Sequence, residues 1–377
     1  MSNAVEATDC IVPKQYWDFL KLSQDDKKDW QIAMQEEIKS LQGRKVWDLV
    51  DLPEGHTPIK GRWVYTICPG NRIKARFIAK GFTQIFGIDY EETFSPVARF
   101  ETVHLMFALA VLHNWEMEAL DVKTAILFGE LDEELYMVQP EGFIVQSQES
   151  KVCQLWKAIY GLKQAVLQWN KQLHKSLVIP GFKRCIADSG IYVKIIGKDI
   201  IIIIIYVDDA LFMGSNKTQV LDHKKKFMKK WESRDLGEAK EYLGMRIMRD
   251  WKKWSLTLDQ SKYANKVIKH FGQENCKETV VPLPTGYTLH AKVGEINASL
   301  QSQYQSIIRS LLYIMLRTRP DLAYSVIKMS QYSSNSSEEH LQKTMQIVRY
   351  LAYTQTLCIT YTTSGNQSGL IAYSDTD

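Results

Sequence analysis

Two adjacent carboxylates, Asp208 and Asp209, close the motif Tyr206-Val207-Asp208-Asp209 at the end of an apolar run that contains six consecutive isoleucines, Ile200 to Ile205. Burying an unpaired carboxylate is disfavoured, so charge at the end of a core strand calls for a compensating cation. An all-oxygen ligand set suits magnesium, which binds through one or two carboxylates and takes further ligands from substrate phosphates. A third carboxylate, Asp121, opens Asp121-Val122-Lys123-Thr124-Ala125 on an independent strand. Two such strands side by side would bring Asp121 and Asp208 to one edge of a sheet, able to hold two metals roughly 3.5–4 Å apart. The chemistry of such a pair is nucleotidyl transfer: one metal activates a primer 3′-hydroxyl and the other neutralises a triphosphate and its leaving pyrophosphate. Taken alone, an Asp-Asp pair after a strand is more often a plain turn.

Strands and helices must position these groups, and the sequence has enough of both. Six β-branched isoleucines in a row suit a buried central strand, and residues 191–196 with 200–207 read as a hairpin turning at Gly197-Lys198-Asp199. Residues 120–127 read as the strand carrying Asp121. Trp30, Ala33, Met34, Ile38 and Leu41 recur at helical spacing. Residues 63–65 and 73–79 read as strands joined by Pro69-Gly70-Asn71, a basic hairpin carrying Arg72, Lys74, Arg76 and Lys80. The spacing predicts helices over 102–115, 154–177, 219–231, 304–329 (interrupted at Arg319-Pro320) and 338–353, with a long loop over 282–303. The lysine-rich helix at 219–231 reads as a solvated charged face.

A length of 377 residues allows two or three domains, and 45% hydrophobic with 24% charged residues is an ordinary globular composition. No apolar stretch approaches the ~20 residues of a membrane span, and the N-terminus lacks a signal-peptide pattern, which gives the expectation of an intracellular protein without membrane contact. Six cysteines and eight histidines show no zinc-finger spacing. The net charge of +4 permits nucleic-acid binding without requiring it.

The chain resembles the reverse transcriptase of copia-type long-terminal-repeat retrotransposons. The resemblance rests on residues 74–84, 87–97 and 121–125, on Glu134-Leu135-Tyr136-Met137 and 139–143, on Tyr160-Gly161-Leu162-Lys163-Gln164, and on Tyr206-Val207-Asp208-Asp209. Asp235-Leu236-Gly237, Tyr242-Leu243-Gly244 and Thr318-Arg319-Pro320-Asp321 continue the family order. It implies an α+β right-hand polymerase with fingers, palm and thumb and a C-terminal connection segment. The implied division is 1–60 as a helical lead-in, 61–215 as fingers and palm, 216–275 as the end of the palm and the thumb, 276–371 as connection, and 372–377 as the start of a ribonuclease H domain.

The implied function is an RNA-directed DNA polymerase using two magnesium ions, with manganese as a substitute. Its partners would be an RNA or DNA template with primer and deoxynucleoside triphosphates, in a cytoplasmic virus-like particle or in the nucleus; no oligomeric state is indicated. Asp121, Asp208 and Asp209 would be the catalytic metal ligands, with Asp209 supporting the other two. Lys74, Arg76, Lys80, Ile126, Gly161, Lys163 and Gln164 would line the nucleotide and template site, and Leu243, Gly244 and Met245 the primer grip. Several residues depart from the family pattern: Val166-Leu167 for Pro-Arg, Ile126 for Phe, His104 for Arg, Arg309 for Gly, and a shorter connection over 66–71. The chain also stops five residues into what resembles the ribonuclease H domain's first strand, from Tyr373, so that a polyprotein fragment or a genomic remnant is expected, with no complete ribonuclease H site. A decayed relic that keeps the fold without polymerising is the alternative.

Overall fold

The computed structural model describes residues 11–68, 70–284, 286 and 297–363. The expected ribonuclease H strand after residue 371 lies outside them, as does Pro69 of the hairpin turn. By contacts the chain divides into two units. One holds the residues up to Val97, Val122–Tyr192 and Tyr206–Asp208; the other holds Ala98–Asp121, Val193–Ile205 and the chain from Asp209 on.

In the first unit, helix Gln24–Gly43 starts at Ser23, whose hydroxyl accepts the Asp26 amide at 3.2 Å. Its stripe of Trp30, Ala33, Met34, Ile38 and Leu41 is buried, and Trp30 packs edge-on against Tyr65 at 5.3 Å. Tyr65 belongs to the hairpin of strands Gly61–Cys68 and Arg72–Ala79, in register with Trp63 opposite Phe77 and Tyr65 opposite Ala75. A three-stranded sheet follows in the order Trp47–Val50, Val152–Lys157, Glu130–Met137. Helix Ala165–Val178 completes the unit's framework.

Here the structure departs from the expected 154–177 helix. Val152–Lys157 is a central strand, paired on both sides, and its short apolar run is indistinguishable from a helical one by periodicity alone. Gly161 at φ +94° then turns the chain before the helix can begin.

In the second unit the sheet runs in the order Ser233–Glu238, Glu116–Val122, Asp209–Gly214, Asp199–Tyr206, Ile191–Ile196. The isoleucine strand is buried from Ile201 to Ile205, as its composition requires. The expected 120–127 strand starts earlier, at Glu116, and ends at Val122. Thr124 at φ +51° turns the chain into a 3-10 segment at Ala125–Phe128. A second sheet runs Glu241–Tyr242, Met245–Asp250, Ser255–Asp259, Ile359–Thr362. Helices Ser261–His270, Ala298–Met315, Ala323–Ser330 and Glu338–Tyr353 enclose a core that includes Tyr304, Ile307, Leu311, Val326, Ile347 and Leu351. The expected 282–303 loop gives way to helix at Ala298, where the Asn297 side chain accepts the amides of Ser299 and Leu300.

Candidate active site

Strand Asp209–Gly214 pairs antiparallel with Glu116–Val122, setting Asp209 opposite Asp121, Leu211 opposite Ala119 and Phe212 opposite Glu118. Residues directly opposite in such a pair share a face, with Cβ atoms about 4.5–5.5 Å apart. Asp121 and Asp209 therefore project from one face, together with Ala119 and Leu211. The opposite face carries Phe212, whose ring meets Phe227 at 5.5 Å, and Glu118, which accepts a hydrogen bond from Lys224 at 2.7 Å. The sequence reading pairs Asp121 with Asp208; the register sets Asp209 across from it. Asp208 is the exposed residue just before the strand, and its backbone carbonyl accepts the Val122 amide at 2.8 Å.

The turn before these aspartates is held open against its own preference. Val207 has φ +57°, a left-handed conformation that is an outlier for a β-branched residue. The indole Nε1 of buried Trp169, on helix Ala165–Val178, donates to the Val207 carbonyl at 2.7 Å. Nothing in the spacing around Trp169 marks this role, because a tryptophan on a helical stripe reads as core.

The basic hairpin has an acidic neighbour that the sequence reading missed. The Phe77 amide donates to the Glu37 carboxylate at 3.4 Å, and burial pushes the Glu37 carboxyl above its usual range despite Arg76 and Lys74 nearby. Burial likewise lowers Lys74, with Arg76 and Arg72 adding repulsion. Asp29, Glu36 and Glu37 line a cleft of about 480 Å³ together with Arg72 and Lys74. The Arg76 guanidinium lies 5.2 Å from the Tyr160 ring centroid, and its buried Nε has no hydrogen-bond partner. Lys80 is half-buried at the end of the hairpin.

Gly161, Lys163 and Gln164 clamp the segment that follows the hairpin. The Ala79 amide donates to the Tyr160 carbonyl at 2.7 Å, and a Cβ on Gly161 would drive into the Ala79 carbonyl, so only glycine fits that approach. The Lys163 amide donates to the Gln84 side chain at 2.8 Å and its Nζ to the Tyr90 hydroxyl at 2.8 Å. Gln164, fully buried, donates to the Asp89 carbonyl at 2.9 Å. Gly161 and Gln164 thus have framework roles. Ile126 is also buried, in the 3-10 segment after Asp121.

Leu243 and Gly244 form the two-residue loop between strands Glu241–Tyr242 and Met245–Asp250, both at positive φ, +50° and +77°. Two such residues make a type I′ hairpin turn. Met245 is buried behind it. A cavity of about 550 Å³ is lined by Ala119, Asp209, Leu243, Gly244, Tyr313 and Arg317 among others. The expected primer grip and the carboxylate face thus open into the same space. Tyr313 and Arg317 carried no sequence signal: Arg317 sits just ahead of Thr318-Arg319-Pro320-Asp321, whose own arginine is turned away to Asp321 and Thr354.

Among the described residues no group of three or more His, Cys, Asp or Glu side chains is placed to hold a metal by itself. The facing pair Asp121 and Asp209 fits a hard cation that draws its remaining ligands from water and phosphate, as magnesium does. Among the described residues no helix is long and apolar enough to cross a membrane.

Residues 44–285 match the family model described as reverse transcriptase (RNA-dependent DNA polymerase). The chain is 37% identical over 94% of its length to the retrovirus-related Pol polyprotein from transposon TNT 1-94 of Nicotiana tabacum, covering 28% of it. It is 36% identical over 92% of its length to that from transposon RE1 of Arabidopsis thaliana, covering 24%, so it spans about a quarter of these relatives. A putative transposon Ty5-1 protein of Saccharomyces cerevisiae matches at 31% identity over 68% of the chain and 82% of that protein. The structure of a foamy viral protease-reverse transcriptase in complex with double-stranded DNA matches over 86% of this chain and 48% of that one, with 13% identity and a TM-score of 0.43.

Proposed function

The chain belongs to the reverse transcriptase (RNA-dependent DNA polymerase) family, and on that premise we propose that it is a polymerase domain of a retrotransposon Pol polyprotein, extending a primer 3′-hydroxyl with deoxynucleoside triphosphates on an RNA or DNA template. The single observation that carries the reading is the register of Asp121 against Asp209, on the face that opens toward Leu243 and Gly244.

In this reading Asp121 and Asp209, with Asp208 beside it in the chain, hold two magnesium ions or their manganese substitutes. Ions held by these carboxylates would supply activation of the primer hydroxyl and neutralisation of charge on the triphosphate. The Leu243–Gly244 turn sets the primer end within reach of the carboxylates. Arg76 contacts phosphate through its guanidinium, while Lys74, Lys80 and Lys163 add sequence-independent attraction. The division into fingers and palm over 61–215, thumb to 275 and connection to 371 belongs to the same proposal.

Primer extension on a homopolymer RNA template with magnesium tests it. The protein is expected to extend, and Asp208→Asn to reduce extension to background with an unchanged melting temperature. Binding of primer-template without extension in the unaltered protein would favour the second reading, an inactive copy that keeps the fold. That reading draws on Val166-Leu167 in place of the family's Pro-Arg and on Ile126 in place of Phe.

A further inference from the structure

We infer that Arg317 is a positioning residue of this polymerase site, a latch that fixes the Leu243–Gly244 turn against the carboxylate face; the inference rests on the polymerase reading above. The turn cannot hold itself. Leucine is poorly suited to the left-handed region, and the hairpin's first strand is only Glu241–Tyr242, with two paired positions, Glu241 to Arg246 and Tyr242 to Met245. Such a hairpin keeps one conformation only if neighbours impose it.

Arg317 supplies that constraint at the backbone. Its Nε donates to the Leu243 carbonyl at 3.0 Å, on the residue whose φ is least favourable. The guanidinium is fixed in turn: its carbon lies 3.5 Å from the Tyr313 ring centroid and 4.3 Å from that of Phe100, and Nη1 donates to the Tyr313 carbonyl at 3.2 Å. A planar cation stacked against aromatic rings loses little further freedom when it forms a hydrogen bond. Tyr313 acts on the second turn residue, since its hydroxyl lies where a Cβ on Gly244 would be. Both residues of the turn are thus covered from helix Ala298–Met315 and the segment just beyond it.

The consequence for the reaction is geometric. Arg317, Tyr313, Leu243, Gly244 and Asp209 line one cavity, so a shift of the turn moves the primer-side wall relative to Asp209. Misplacement of a reacting group by about 1 Å can cost on the order of 10²-fold in rate. Removing the latch should therefore lower turnover while leaving the affinity for nucleic acid, which phosphate contacts elsewhere supply, nearly unchanged.

The test compares the unaltered protein with Arg317→Ala and Arg317→Lys by steady-state extension, by primer-template Kd, and by amide hydrogen exchange. Arg317→Ala is expected to lower kcat by about 10- to 100-fold, with the Kd and the KM for nucleotide within about twofold. Exchange should rise over residues 241–246 and stay unchanged over 116–121 and 209–214. Arg317→Lys should remain impaired, because an ammonium keeps the charge but not the planar stacked geometry. Unchanged exchange over 241–246, full recovery in Arg317→Lys, or exchange rising equally throughout the chain would each overturn the latch. If the unaltered protein does not extend primers, that failure falls on the polymerase reading alone, and the exchange profile still decides whether Arg317 holds the turn.

Discussion

Val207 is the residue at which the structure shows local preference overruled. A valine at φ +57° stays there only because its surroundings impose it, and the Trp169 indole bonded to its carbonyl is the visible restraint. Trp169→Phe keeps an aromatic ring but deletes the donor and part of the buried indole volume; it should cost at least about 1 kcal/mol in denaturant unfolding and lower single-turnover extension with little change in primer-template Kd. A raised Kd with normal turnover would assign Trp169 to binding instead. If the polymerase proposal holds, Ile126 bears on sugar selection. Ile126 is a buried side chain where the resemblance implies an aromatic ring, and an apolar wall rejects an added hydroxyl by at most about 10²-fold. Ile126→Phe should raise the preference for deoxyribonucleotides in single-nucleotide incorporation, and equal preference in both proteins would place the gate at another residue.

At the scale of elements, the lysine-rich helix Lys217–Lys230 is not a uniform solvated face. Lys225, Lys226, Lys229 and Lys230 are exposed, as a charge run implies, but Lys224 is buried and pairs with Glu118 at 2.7 Å and Asp235 at 2.5 Å. Lys224→Ala leaves the Glu118 carboxylate uncompensated on a buried strand and should destabilise by about 3–5 kcal/mol in urea unfolding, whereas Lys225→Ala should stay within about 0.5 kcal/mol. This pair also explains why strand Glu116–Val122 was legible only from residue 120: a charged Glu118 breaks the apolar pattern, and its partner lies 106 positions along the chain. The isoleucine strand, helix Gln24–Gly43 and helix Glu338–Tyr353 were readable because their periodicity is local. The carboxylates were readable by motif, but which of them face each other depends on register, which only pairing sets.

Strand Ile359–Thr362 gives a pH-dependent case at the same scale. His104 Nδ1 lies 2.6 Å from the Tyr361 hydroxyl, and burial holds the imidazole below its ordinary 6.5, opposed by a bond involving the Arg317 backbone and by Glu101. A folded-state value below the unfolded one means that the unfolded chain binds more protons, so this stability is complete above about 6.5 and is lost as the pH falls. The melting temperature should drop on acidification through that range, and His104→Phe should flatten the drop.

At the scale of the whole molecule, charge bears on binding more than on fold. A net charge of +4 gives only mild general attraction, so affinity for nucleic acid has to come from placed cations. If Lys74, Arg76, Lys80 and Lys163 each neutralise one phosphate of a duplex, log affinity should fall against log salt with a slope of about −3.6, at 0.9 per contact. Two features of the first unit bear on that figure. Asp29, Glu36 and Glu37 line the same cleft as Arg72 and Lys74, and Lys163 is bonded to Tyr90, so part of the basic charge already has partners. If the Arg76 guanidinium makes one phosphate contact, Arg76→Gln should flatten the slope by about one, while Lys163→Gln should flatten it by less. Titration of a fluorescent primer-template between low and moderate salt measures both slopes. An affinity indifferent to salt would remove the nucleic-acid reading altogether, because a protein that binds through the phosphate backbone must release counterions as it binds.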